Sequence, residues 1–103
     1  MPMVRISFVK PNPGQHDAVV KILDELEDFL SSRPSYIMGC RLANASDPDH
    51  IGRMAMWADQ ESVNHAAVLD HLQVVRGRLH QIIQPGHQEL LFEVQGTPKN
   101  LPS

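Results

Sequence analysis

The feature that most constrains this chain is a mismatch: its strands are apolar on both faces, yet it has helix enough to cover only one. Residues 3–10 alternate, with Val4, Ile6 and Phe8 on one side and Met3, Arg5, Ser7 and Val9 on the other. Residues 36–44 repeat the pattern: Tyr36, Met38, Cys40 and Leu42 share one face, and Ile37, Gly39, Arg41 and Ala43 share the other. Residues 51–58 read as a third strand. Residues 88–95 read as a fourth, with Leu90, Phe92 and Val94 opposite Leu91.

Between these strands the period changes to that of a helix. Asn12-Pro13-Gly14-Gln15 looks like a helix start, with Asn12 as cap, Pro13 in the first turn and Gln15 completing a capping box. Val19, Ile22, Leu23, Leu26, Phe29 and Leu30 then recur at spacings of three and four, with Asp24, Glu25, Glu27 and Asp28 mainly outside the stripe. Ser31-Ser32-Arg33-Pro34 stops this helix. Ser46-Asp47-Pro48-Asp49 reads as the turn joining the second and third strands into a hairpin. Asp59 can cap a second helix carrying Val63, Ala66, Ala67 and Leu69 inward, with a break near Asp70. Leu72, Val75, Leu79, Ile82 and Ile83 form a further stripe, which Pro85-Gly86 ends.

The order is β-α-β-β-α-(α)-β, which predicts an α+β, ferredoxin-like βαββαβ fold: an antiparallel four-stranded sheet with helices on one face. One domain is expected over residues 1–103, with its core at about 3–95 and a loose tail at 96–103. Ile37, Leu91, Met3 and Val9 face opposite their apolar neighbours. The uncovered sheet face therefore predicts a homodimer built face to face across a two-fold axis.

Charge and composition narrow the partners. Nine Lys and Arg are spread thinly and the net charge is −3, so no basic stripe points to nucleic acid. No apolar run approaches the ~20 residues that span a bilayer, and no helix combines an apolar with a basic face. Met1–Lys10 shows no basic-then-apolar signal pattern, and the lone Cys40 cannot form an internal disulfide, so a cytoplasmic location is expected. A small aromatic or apolar molecule and a second copy of the chain remain as partners.

The segment from Met54 to His65 (MAMWADQESVNH) ends a strand in Trp57, opens a helix with Asp59 and Glu61, and places His65 about two turns on. It resembles the antibiotic biosynthesis monooxygenase (ABM) family, as do the opening strand, the Pro-Gly entry to the first helix and the element order. The resemblance spans roughly residues 3–95. It implies a dimeric α+β barrel with a pocket in each subunit between sheet and helices. Some members of the family oxidise aromatic polyketides with dioxygen and no metal, flavin or haem; others degrade haem or isomerise small molecules. Haem-degrading members carry Asn on strand one, Trp in helix two and a later His; the matching positions here are Ser7, about Ala66 and about Arg76. Haem chemistry is therefore not expected. Where polyketide-oxidising members carry Asn and Tyr beside the Trp, this chain has Arg53 and about Val63.

These readings give candidate residues. Trp57, the only Trp, would stack a flat ligand and offer its indole N–H, or would simply plug the barrel end. His65 and His71 are candidate bases on a phenol or keto–enol proton. Their spacing of six misses the i,i+4 spacing of a helical metal pair, so no metal is expected, and the resemblance implies that no cofactor is used. Arg53 shares a face with Ala55 and Trp57 and would hold a carboxylate or phenolate, or else an inter-subunit ion pair. Met38, Met56 and Phe92 are candidate ligand contacts, with core filling the alternative for the methionines. Cys40 reads as a buried small hydrophobe, and His16, His50, His80 and His87 as solvated. The predicted function is a cofactor-independent monooxygenase acting on a small phenol- or hydroquinone-like substrate. The alternatives are a non-enzymatic dimeric barrel that binds a small apolar ligand, or an isomerase of the same fold.

Overall fold

The computed structural model describes residues 1–97 and Lys99; most of the tail read as loose from the sequence lies outside the described residues. Strand β1 (Met3–Val9) leads to α1 (His16–Ser31), the hairpin β2 (Tyr36–Asn44) and β3 (Asp47–Trp57), helices α2 (Gln60–Ala67) and α3 (Asp70–His80), and β4 (Gln88–Glu93). The strands form one antiparallel sheet in the order β2-β3-β1-β4. This is the ferredoxin-like arrangement expected from the element order.

The register decides which residues face the helices. Met3, Ser7 and Val9 pair with Trp57, Arg53 and Ile51, and Arg5 pairs with Ala55. These side chains lie on the covered face. Met3, Val9, Ile51, Ala55 and Trp57 form a core with Val19, Ile22, Leu23, Leu26 and Leu30 of α1, Val63 and Ala66 of α2, and Leu72, Val75 and Leu79 of α3. The more apolar face of β1 is the other one. Val4, Ile6 and Phe8 pair with Met56, Met54 and Gly52, and across the other edge with Phe92, Leu90 and Gln88. Among the described residues no helix covers this face. Cys40 lies on it and is exposed, where the sequence suggested a buried residue.

Two turns differ from expectation. Asn12 does not cap α1: its carbonyl accepts from Gln15 N–H at 2.9 Å, around Pro13 and a Gly14 with φ of 78°. Proline followed by a left-handed glycine makes a type II turn, which takes these residues before a helix can start. The β2–β3 connection is shorter than predicted. Ala45 and Ser46 alone form it, and Asn44 Oδ1 accepts from Ser46 N–H at 2.8 Å, so Asp47 and Pro48 already belong to β3. The second helical region behaves as expected: Asp59 accepts from Ser62 N–H at 2.8 Å, and the chain breaks at Val68–Leu69 before α3. Among the described residues no helix is long and apolar enough to cross a membrane.

Candidate functional site

Between sheet and helices lies an internal cavity of about 40 Å³. Its walls are apolar on the helix side, from Leu23, Leu26, Leu30, Val63, Leu72 and Leu79. The sheet floor is different. Arg5, Ser7, Arg53, Trp57 and Glu89 line it, and Arg76, His80 and His87 close it from α3 and the following loop. Strand alternation produces the floor, because in β1 and β3 the inward positions between the terminal apolar residues are Arg5, Ser7, Arg53 and the small Ala55.

These charges are arranged in two groups. Arg5 Nη2 donates to Glu89 Oε2 at 2.7 Å, and Arg76 Nη2 lies 3.4 Å from Glu89 Oε1, so one carboxylate spans two guanidiniums. Burial alone would raise the Glu89 pKa, but Arg76 and Arg5 outweigh it and hold the carboxyl below its ordinary range. Burial likewise lowers the Arg76 pKa, against the opposing pull of Glu89. In the second group Arg53, 5% exposed, donates from Nη2 to Glu27 Oε1 at 3.3 Å. Glu27 Oε2 accepts from the Tyr36 hydroxyl at 2.5 Å. Burial, then the hydrogen bond to Glu27, push the Tyr36 phenol well above its ordinary pKa, so it stays a proton donor. Tyr36 also meets Trp57 edge to face at 5.3 Å. Arg53 Nε is buried with no hydrogen-bond partner among the described residues.

The residues singled out from the sequence fall in three places. Arg53 and Trp57 come together in the cavity. Trp57 also borders an open outer groove that His65 lines with Arg33, Pro34 and Glu61, so Trp57 separates His65 from the interior. His71 is exposed and lies against Phe29, with ring centroids 4.3 Å apart. Met38, Met56 and Phe92 lie on the uncovered sheet face, opposite the cavity. The histidines that do line the cavity are His80 and His87, which stack at 4.8 Å; both were read as solvated, and both are indeed exposed in part of their surface. Arg5, Arg76 and Glu89 were not singled out. The available signal was Arg5 at an inward position of an otherwise apolar strand. Among the described residues no three His, Cys, Asp or Glu side chains converge as metal ligands.

The fold and its cavity define a ferredoxin-like α+β domain. Solved structures bear out the resemblance. The chain superimposes on SnoaB, a cofactor-independent oxygenase from Streptomyces nogalater (an engineered variant), with a TM-score of 0.85 at 12% identity, covering 96% of this chain and 98% of that one. A provisionally named antibiotic biosynthesis monooxygenase from Chloroflexus aurantiacus is 26% identical, with a TM-score of 0.72 and coverage of 95% and 98%. A similarly named protein from Deinococcus radiodurans gives a TM-score of 0.87 at 8% identity, covering 97% and 99%. No family model matches the sequence, and no curated protein matches it.

Proposed function

We propose that this protein is a cofactor-independent monooxygenase that oxidises a small phenol- or hydroquinone-like aromatic in the cavity between sheet and helices, working as a homodimer. The observation that carries this reading is the joining of Trp57, Arg53 and Arg76 in an apolar-walled interior, within a fold shared with proteins named for this chemistry. An electron-rich aromatic is its own reductant. Deprotonated, it passes an electron to dioxygen, and the resulting radicals combine. The reacting ring carbon, a CH₂ in the phenol's keto tautomer, becomes C=O: it gains one oxygen atom, and the second leaves as water with both hydrogens, so that a phenol and dioxygen give a quinone and water. The protein's part is to stabilise the anion, orient the ring and exclude water. Arg53 and Arg76 would hold the phenolate. His80 or His87, which line the cavity, would accept the proton, since Arg76 and Arg5 hold the Glu89 carboxyl below its ordinary range and leave it a poor base. Trp57 would stack the ring.

Oxygen uptake with a panel of hydroquinones and anthrones tests this. Uptake above buffer is expected for at least one compound, falling about tenfold or more in Trp57→Phe. No uptake with any of them sinks the reading. Arg53 and Val63, standing where the resembling oxygenases carry Asn and Tyr, favour a second reading, a ligand-binding barrel without turnover. Thermal stabilisation by aromatics with no oxygen consumed would select it.

A further inference from the structure

We infer that the cavity's ligand carries a carboxylate on its aromatic body, and that Glu89 occupies the position this carboxylate takes. The inference rests on the cavity being the ligand site, and not on the oxygen chemistry.

Three guanidiniums, those of Arg5, Arg53 and Arg76, line one interior with the single carboxylate of Glu89. Glu27 lies behind Arg53 and divides its oxygens between Arg53 and Tyr36. Glu27 balances the charge of Arg53, but the three guanidiniums still outnumber the two carboxylates by one, and the buried Nε–H of Arg53 has no acceptor among the described residues. An unpaired buried donor of this kind is costly to leave unmade, and a charged acceptor is what satisfies it best. A neutral phenol would bring one weak acceptor to this floor. A carboxylate would bring two charged oxygens with the fork geometry that guanidiniums match.

The chain itself supplies the template. Glu89 already presents one oxygen to Arg5 and the other to Arg76. It sits on β4, an edge strand, with 37% of its side chain exposed, so it can turn to solvent without disturbing the core. The cavity needs such a movement. At about 40 Å³ it is far smaller than the roughly 150 Å³ that holds a benzene ring. Release of Glu89 would free both guanidiniums and widen the space in one motion, and an incoming carboxylate would replace the charge that leaves.

Calorimetric titration with 2-hydroxybenzoate and with its neutral counterpart, 2-hydroxybenzamide, tests this. The intact protein is expected to bind the acid about tenfold tighter than the amide. Glu89→Gln removes the competing carboxylate and should tighten the acid about threefold or more with the amide unchanged. Arg76→Gln should weaken the acid about tenfold and spare the amide; Arg76 is partly exposed, so this variant tests the site even where substitution of buried Arg53 disrupts folding. Equal affinity for the two probes, binding of neither, or a Glu89→Gln variant that shifts both alike would each overturn the inference. Oxygen uptake on neutral hydroquinones without any preference for the acid would overturn it while leaving the oxygenase reading standing. A strong preference for the acid with no uptake on any compound would do the reverse.

Discussion

A side chain at position 39 would land on the Tyr36 hydroxyl and on both Glu27 oxygens, closer than real contacts allow. Gly39 is thus the space in which the Tyr36–Glu27–Arg53 chain of hydrogen bonds is built. Gly39→Ala should destabilise the fold by about 1–3 kcal/mol, the usual cost of overpacking. Chemical denaturation checks this, and a change below about 0.5 kcal/mol would mean that the hydrogen-bonded chain has room to spare. Glu89 gives a second prediction, with a definite sign. Its folded-state pKa is depressed: burial opposes ionisation, but Arg76 and then Arg5 more than offset it. A depressed carboxylate contributes stability in full above its ordinary pKa of 4.5 and loses it as pH falls below that value. Stability measured from pH 7 downward should therefore decline less steeply in Glu89→Gln than in the parent, so that the parent's advantage at neutral pH shrinks below pH 4.5. Parallel curves would contradict the ion pairing of Glu89 with Arg5 and Arg76.

At the scale of elements, what could be read from the sequence was what depends on period and order. The α1 stripe, the Asp59 cap and the break before α3 are local, and each appears in the fold. Competing local signals were harder to rank. Pro13-Gly14 satisfied both a helix-start pattern and a type II turn, and the positive φ at Gly14 shows that the turn prevailed. Asp47-Pro48 looked like a turn because proline rarely enters a sheet, yet Asn44 closes the hairpin one step earlier. The site was legible only in part. Arg53 and Trp57 lie four residues apart on one face of β3, and alternation alone brings them together. Arg5 and Glu89 meet across 84 residues through the β1–β4 register, and Arg76 comes from a third element. No local pattern encodes such a meeting; it follows from where β4 inserts in the sheet. The same topology explains why Met38, Met56 and Phe92 lie away from Trp57's interior side: which face the helices would cover was not readable, and in β2 a bulge between Tyr36 and Met38 turns Tyr36 to the covered face, away from the Met38, Cys40 and Leu42 it was grouped with by alternation.

Over the whole molecule, that choice of face leaves a physical problem. The helices cover the side that holds three arginines, while the side built from Val4, Ile6, Phe8, Met54, Met56 and Leu90 stays open. Phe92 is 52% exposed at its edge. A protein that buried its most apolar surface first would have done the reverse, so the open side is best accounted for by a second copy of the chain lying against it. Sedimentation equilibrium should give twice the 11.5 kDa chain mass. Phe92→Asp tests the same face from within. On an isolated protomer it is a surface substitution, costing at most about 0.5 kcal/mol. In a face-to-face pair it sets a carboxylate into an apolar contact and, by symmetry, does so twice. The variant should sediment at the single-chain mass, with a lower melting temperature that rises with protein concentration only in the parent. Because the cavity lies on the other side of the sheet, its preference between acid and amide probes should survive in any Phe92→Asp chain that remains folded. A parent protein that sediments as a single chain, and that keeps its melting temperature on introduction of Asp at position 92, would show that the open face has no such partner.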